Sequence, residues 1–273
     1  MNSQELKQKI RSTFDEAAPG YDKPALRYFA EAAEQLAEHM GLAGDERLLD
    51  VATGTGAVAL ACARRLGGGQ VIGIDLSEGM LGMARAKATQ AGLNNLDFRC
   101  ADLEALPFAA GDFDAACCGF GVFFLPDMAD GLRRIATVVK PGGSVGISSF
   151  AAPSFEPLSA CFLDRIQACG ITVPPLSWKR LDHPDKHHDL FAEAGLEHGE
   201  TRSVPLGYYL NDANGWWDIL WNTGFRGLLN QFSPLELEAF REEHLREIAA
   251  HATEQGLWLE MEVLITVGRK PTR

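Results

Sequence analysis

Leu48-Leu49-Asp50-Val51-Ala52-Thr53-Gly54-Thr55-Gly56-Ala57-Val58 is the stretch on which the fold turns. A short apolar run enters a glycine turn, and the turn opens into a helical pattern. Glycine is required where backbone must approach a ligand closely or take positive φ, and the helix start adds free N–H groups. Gly54-Thr55-Gly56 followed by Ala59 fits the dinucleotide pattern G-x-G-x-x-G/A, with Asp75 placed 19 residues beyond Gly56. By itself the loop predicts a nucleotide-like ligand without choosing one.

Working outward, Val71-Ile72-Gly73-Ile74, Ala115-Ala116-Cys117-Cys118 and Val145-Gly146-Ile147 are further short apolar runs, with Leu96-Asp97-Phe98 a weaker one. Runs without alternation predict parallel strands covered on both faces. Helical stretches fall between them: Ala57 to Leu66, the segment after the N-cap Ser77 up to about Gly92, and Met128 to Val139. The expected fold class is α/β, a Rossmann-like open, mostly parallel sheet with helices on both faces. An antiparallel C-terminal strand over Leu257 to Val267 and a helical cap complete it. Leu26, Phe29, Ala33, Leu36, Ala37 and Met40 form one helical stripe before the sheet. Pro153 to Cys169 and His183 to Ala194 read as helices after it, and Ser233-Pro234-Leu235-Glu236 is a helix start with a capping box. Four segments follow: 1–43 helical and covering the cofactor, 44–150 the cofactor-binding core, 151–255 an acceptor-binding cap with one strand, 256–273 the closing strand.

Three acids follow three successive strands at their carboxyl ends, which is the ligand crevice of such a sheet. Asp50 on the entering strand would repel a pyrophosphate seated in the glycine turn. It suits a cationic amino group instead, where a charge-assisted hydrogen bond contributes about 1.5–3 kcal/mol. S-adenosylmethionine carries an ammonium and a sulfonium, has no phosphate, and keeps a ribose for Asp75. Asp102 can accept from the adenine amino group. The plainer alternatives are that Asp50 only caps the next turn and that Asp75 is an exposed strand-end acid.

With those residues in place, the sequence resembles the class I S-adenosylmethionine-dependent methyltransferases, and most of all the ubiquinone/menaquinone-biosynthesis C-methyltransferase type. The matching motifs are Asp50 to Gly56, Gly73-Ile74-Asp75-Leu76-Ser77 with Met80, Ala101 to Phe108, Asp112-Phe113-Asp114 through Phe120, and Val139-Lys140-Pro141-Gly142-Gly143. Ala52 departs from the glycine of many members. The resemblance implies that Asp50, Ala52, Thr53, Gly54 and Gly56 hold the methionine end of the cofactor. It implies that Asp75 binds the ribose, that Leu76 and Met80 flank the adenine, and that Ala101, Asp102 and the Leu103 amide read the adenine edge. Cys118, Gly119 and Phe120 would then line the transferable methyl, and Tyr21, followed by Asp22, would lie over the cofactor. For Met80, helix core is an equal alternative.

The acceptor is expected among aromatic side chains: Phe120, Phe123 and Phe124 after the fourth strand, and Trp216, Trp217, Trp221 and Phe225 in the cap. Such walls favour a planar or greasy acceptor, quinone-like, phenolic or a secondary metabolite, methylated at carbon or oxygen. A sulfonium methyl is already activated, so the sequence commits to no catalytic residue. His183, His187, His188 and His244 are the available bases, and the acids around His183 to Asp189 read as a solvated loop rather than a metal site. Alternatives are a non-catalytic cofactor-binding regulator, an NAD(P)-dependent oxidoreductase, and, lower, arsenite methylation through Cys117 and Cys118.

Composition narrows the partners. The 273 residues carry 25 Lys+Arg against 37 Asp+Glu, a formal charge of −12, with 46% hydrophobic residues. An acidic chain without a basic block argues against nucleic acid. No apolar run reaches the roughly 18–20 residues that span a bilayer, and Met1 to Lys7 has no apolar core like that of a signal peptide. Six cysteines without a C-x-x-C pair fit reduced thiols. A cytoplasmic protein, without membrane insertion and compatible with a homodimer, is expected.

Overall fold

Leu48, Leu49 and Val51 are completely buried, because the strand that carries them is the inner strand of the sheet. A computed structural model describes residues 3–272. Met1, Asn2 and Arg273, which belong to the first and last expected segments, lie outside the described residues. The chain begins with α1 (Ser3–Ala17) and α2 (Tyr28–His39), then alternates β1 (Arg47–Val51), α3 (Ala57–Arg65), β2 (Gln70–Asp75), α4 (Glu78–Gln90) and β3 (Leu96–Cys100). It continues through β4 (Phe113–Gly119), α5 (Met128–Val138), β5 (Val139–Phe150), α6 (Leu158–Ala168), α7 (Pro184–Glu193), β6 (Glu197–Pro205) and β7 (Tyr208–Leu210). Last come α8 (Ala213–Trp221), α9 (Arg226–Leu229), α10 (Pro234–Ala249), β8 (Leu257–Leu259) and β9 (Glu262–Arg269).

The sheet order is β3-β2-β1-β4-β5-β9-β6, with β7 and β8 forming a separate pair. Strands β1 to β5 pair in parallel, while β9 runs antiparallel between β5 and β6. The order reverses between β1 and β4, and at that switch point helices leave to either side and open a crevice beyond the strand ends. This is the expected fold class.

Three expectations differ, the first being that the segment 151–255 holds two strands, β6 and β7, where one was expected. The helix foreseen from Pro153 starts at Leu158, because Phe155 takes φ 69° and the preceding residues form turns, Ser154 N donating to the Ala151 carbonyl and Glu156 N to that of Pro153. The closing strand is interrupted at Glu260-Met261. Leu257 to Leu259 pairs with β7, whereas Glu262 to Arg269 enters the main sheet.

Several motif residues have structural duties. Asp114 accepts from the Arg47 amide at 3.0 Å and from Lys140 Nζ at 2.5 Å, tying β4 to β1 and β5; these contacts hold its carboxyl below the ordinary range. His187 is completely buried, with Nε2 2.7 Å from Ser149 Oγ and Nδ1 2.7 Å from Thr266 Oγ1, so it fastens α7 to the sheet. Among the described residues no three His, Cys, Asp or Glu side chains converge as metal ligands, and no helix is long and apolar enough to cross a membrane.

Candidate active site

The loop after β1 makes three left-handed turns in five residues: φ is 54° at Ala52, 55° at Gly54 and 83° at Gly56. An L-residue in this region costs about 1–2 kcal/mol, so Ala52 is a strained position held by its neighbours. Gly56 N donates to the Thr53 carbonyl at 2.8 Å, and Thr53 N to the Ile74 carbonyl at 2.9 Å, which stitches the loop to β2.

Asp50 sits beneath this loop with no exposed surface. One carboxylate oxygen accepts from Thr53 Oγ1 at 2.5 Å and from the Ala59 amide at 3.0 Å; the other accepts from Cys117 Sγ at 3.5 Å. The amide contact caps the first turn of α3, and Asp50 is also among the residues around the cavity. Burial pushes it up to about 7, against the pull of the Thr53 and Cys117 side chains and the Ala59 amide.

Asp75 ends β2, where its oxygens accept from the Gly54 amide and the Ser77 amide, both at 2.9 Å. Each carboxylate oxygen offers two lone-pair directions, so each keeps one for a ligand. Burial raises this carboxyl, and the amides of Ser77, Gly54 and Leu76 pull it back. Asp102 is differently engaged: Oδ1 accepts from the Glu104 amide at 2.9 Å, and Oδ2 accepts from Lys7 Nζ at 2.6 Å. Lys7 also pairs with Glu104.

Lys7 comes from α1, which closes the crevice. Asp15 near the end of α1 accepts from Ser77 Oγ at 2.5 Å and the Gly79 amide at 3.0 Å, so it caps α4 from outside. Glu16 accepts from Arg226 Nε at 3.1 Å and Asn230 Nδ2 at 3.0 Å on the cap side. Asp22 accepts from Thr55 Oγ1 and Lys87 Nζ, both at 2.8 Å, pinning the following turn onto the glycine loop. Tyr21 is thereby laid over the crevice, stacked on Phe29 with ring centroids 4.8 Å apart. Burial, with Asp75 and Asp22 nearby, raises its phenol so that it stays protonated.

Of the residues expected around the cofactor, Tyr21, Asp50, Ala52, Thr53, Gly54, Asp75, Leu76, Met80, Ala101, Asp102, Leu103 and Gly119 line one cavity. Gly56 and Cys118 do not. Gly56 packs against Ala84 and Phe98, where a side chain would collide, and Cys118 is buried beneath Gly121. Leu6, Lys7, Ile10, Arg11 and Phe14 of α1 complete the wall; no local signal in α1 marked them. Four carboxylates against two cations make a wall that suits a cationic, phosphate-free ligand and not a diphosphate.

A second cavity of about 640 Å3 adjoins the first, well within the range of small-molecule sites. Phe120, Phe123 and Phe124 line it as expected. Phe120 holds φ 55°, a rare conformation for a bulky residue, and packs on Phe150 at 4.5 Å and Phe29 at 5.1 Å at the junction of the two cavities. Trp216, Trp217 and Trp221 line neither cavity, which corrects that expectation. They sit on α8, with Trp216 wholly buried behind Phe155 and Phe225, and Trp217 stacked on Trp221. Phe225, named with them, does line the second cavity, and Trp178, Tyr28, Phe29, Phe150 and Phe155 make up the rest of its aromatic wall.

Comparison with known proteins follows the same outline. A methyltransferase domain family matches residues 48–143. The aklanonic acid methyltransferase of Streptomyces sp. (strain C5) is 32% identical over 182 residues, covering 66% of this chain and 83% of that protein. A ubiquinone/menaquinone biosynthesis C-methyltransferase of Syntrophotalea carbinolica is 37% identical over 157 residues, 56% of this chain and 65% of that protein. A solved structure of a SAM-dependent methyltransferase from Aquifex aeolicus shares the fold with a TM-score of 0.56 at 20% identity, covering 70% of this chain and 92% of that one.

Proposed function

This chain belongs to the S-adenosylmethionine-dependent methyltransferases, and on that premise we propose that it methylates a small aromatic or polycyclic acceptor at carbon or oxygen. The observation that carries this reading is the pair of adjoining cavities, one walled by carboxylates at the strand ends and the other by aromatic rings. Family membership decides for methyl transfer over hydride transfer. The two relatives differ in what their names say, aklanonic acid methylation in one case and C-methylation in ubiquinone/menaquinone biosynthesis in the other.

Asp75 takes the two ribose hydroxyls on the lone pairs left by Gly54 and Ser77. Leu76, Met80 and Leu103 enclose the adenine, and the Asp102 carboxylate meets its amino group beside Lys7. Asp50 and the Ala52 to Gly54 backbone face the methionine end. The bound cofactor supplies an electrophilic methyl on a cationic sulfur. Tyr21 and Phe120, at the junction, exclude water and fix the line of approach, and orientation of this kind can be worth about 7–11 kcal/mol.

The Asp50 assignment predicts a pH dependence. Burial pushes the Asp50 carboxyl up to about 7 in the free protein, and an ammonium beside it favours the ionised form. Below pH 7 binding must therefore release a proton, and affinity falls about tenfold per pH unit. Above pH 7 the carboxyl is already ionised and affinity levels off. Calorimetry with S-adenosylhomocysteine from pH 5.5 to 8.5 reads this directly, in buffers of different ionisation enthalpy to count the proton. A flat profile removes Asp50 from the ammonium site.

The function itself is tested by incubating the protein with methyl-labelled S-adenosylmethionine and a panel of phenols, hydroquinones and aromatic acids. Label in an extracted product is the expected result. Cofactor binding without transfer to any member, in a protein whose second cavity binds none of them, would leave a regulator instead.

A further inference from the structure

Among the described residues, the wall of the acceptor cavity contains no aspartate, glutamate, histidine or cysteine. Its titratable side chains are Lys9, Arg180, Tyr21 and Tyr28. Every residue that lines both cavities, where the methyl must cross, is apolar except Tyr21. The carboxylates of the cofactor cavity, Asp50, Asp75, Asp102 and Glu104, line that cavity and not the acceptor cavity. Burial keeps the phenols of Tyr21 and Tyr28 protonated. Among the described residues no group lining the acceptor cavity is therefore placed to take a proton.

Charge points the same way. In a chain of net charge −12, this cavity carries two cations and no anion. Arg180 donates to the carbonyl oxygens of Phe123, Leu125 and Pro126, at 3.2, 2.5 and 3.0 Å, so it is fixed against the turn between the two cavities. Those carbonyl partners hold it in place without neutralising its charge. Among the described residues neither Arg180 nor Lys9 is ion-paired. Both are exposed at the cavity rim.

Resting on the methyltransferase reading above, we propose that the acceptor is an oxygen acid already ionised in solution, an aromatic carboxylate or an acidic enol. Its rings occupy the aromatic cavity, and its negative charge is drawn in by Arg180 and Lys9. The anionic oxygen forms a bond to the methyl carbon as the carbon–sulfur bond breaks, and that electron pair stays on sulfur. The products are a methyl ester or enol ether and neutral S-adenosylhomocysteine, so no proton moves. A neutral phenol, or a ring carbon that must lose hydrogen, needs a base that this wall does not offer. The displacement also cancels one negative charge against one positive, and charge cancellation is favoured in apolar, water-poor surroundings.

The test compares naphthoate, a hydroxynaphthoquinone whose enol ionises below neutral pH, and naphthol, which stays neutral there. Transfer from methyl-labelled S-adenosylmethionine is followed with pH, and binding to the protein carrying S-adenosylhomocysteine is measured by calorimetry. At pH 7 the two acids are expected to exceed naphthol in kcat/KM by on the order of a hundredfold, since only a small fraction of a phenol is ionised there. Their profiles stay flat from pH 6.5 to 8.5, while that of naphthol climbs about tenfold per pH unit towards its own ionisation. Lys9→Glu raises the Kd of naphthoate several-fold more than that of naphthol, and added salt shrinks the difference. Equal transfer to naphthol at pH 7 with a flat profile means a base exists after all and overturns the proposal, leaving the methyltransferase function intact. If none of the three is methylated, the calorimetry decides, and equal affinity for naphthoate and naphthol overturns it. Failure to bind S-adenosylhomocysteine breaks the underlying reading instead.

Discussion

Asp75→Ala is expected to weaken S-adenosylhomocysteine binding by about two to three orders of magnitude while leaving a folded protein. Two hydrogen bonds from ribose hydroxyls to a carboxylate are worth about 1.5–3 kcal/mol each, and 1.4 kcal/mol is a factor of ten. The substitution also frees the Gly54 and Ser77 amides, which Asp75 holds at 2.9 Å, so the loop loses a clamp as well as the ligand an acceptor. The sheet survives because Ile72 and Ile74 of β2 remain buried against β1 and β3. Asp75→Asn separates the two effects, since an amide oxygen still accepts once and the amide nitrogen faces a donor. Its affinity should fall between wild type and alanine. Calorimetric affinity unchanged in Asp75→Ala would remove this residue from the ribose, and a collapse in thermal stability of both variants would make it a loop clamp alone.

What could be read from the sequence divides along local and long-range physics. The segment from Leu48 to Val58 is legible because strand, turn and helix start each leave a local mark: an apolar run, glycines at positive φ and an acid at the strand end. Asp50, Asp75 and Asp102 could be placed together because the carboxyl ends of parallel strands share one edge of the sheet. Their partners could not. Lys7 meets Asp102 across 95 positions of chain and Asp15 meets Ser77 across 62, and neither contact leaves a periodic trace. The break at Glu260-Met261 escapes for a similar reason. A mainly apolar stretch such as Leu257 to Val267 reads the same whether it stays in one sheet or, as here, passes from the β7–β8 pair into the main sheet. Trp178 lies in a short helical turn at Ser177–Leu181 just after Pro174-Pro175, where no pattern predicts which side chain turns inward. Three tryptophans close together on one helix announce apolar surface, but not whether a ligand or other side chains cover it.

That last ambiguity gives the second large effect. Trp216→Ala is expected to cost about 3–5 kcal/mol of stability, the usual range for emptying a buried aromatic site. Trp216 has no exposed surface, and its indole N–H donates to His244 Nε2 at 3.1 Å. The ring lies against Phe155 and Phe225, which themselves line the acceptor cavity, so it supports the wall from behind. Burial pushes His244 down to about 4, below its unfolded value near 6.5. Between those values the unfolded chain binds the extra proton, so wild-type stability falls as pH drops from 6.5 towards 4. A cavity at position 216 admits water to the imidazole and lets it protonate more readily in the folded state, and this acid-induced loss should therefore shrink in the variant. Urea unfolding at pH 7 and pH 5 measures both terms in one series. Wild-type stability combined with a raised KM for the acceptor would put Trp216 in the site after all; lost stability with an unaltered acceptor-to-cofactor KM ratio places it in the cap core, where the geometry has it.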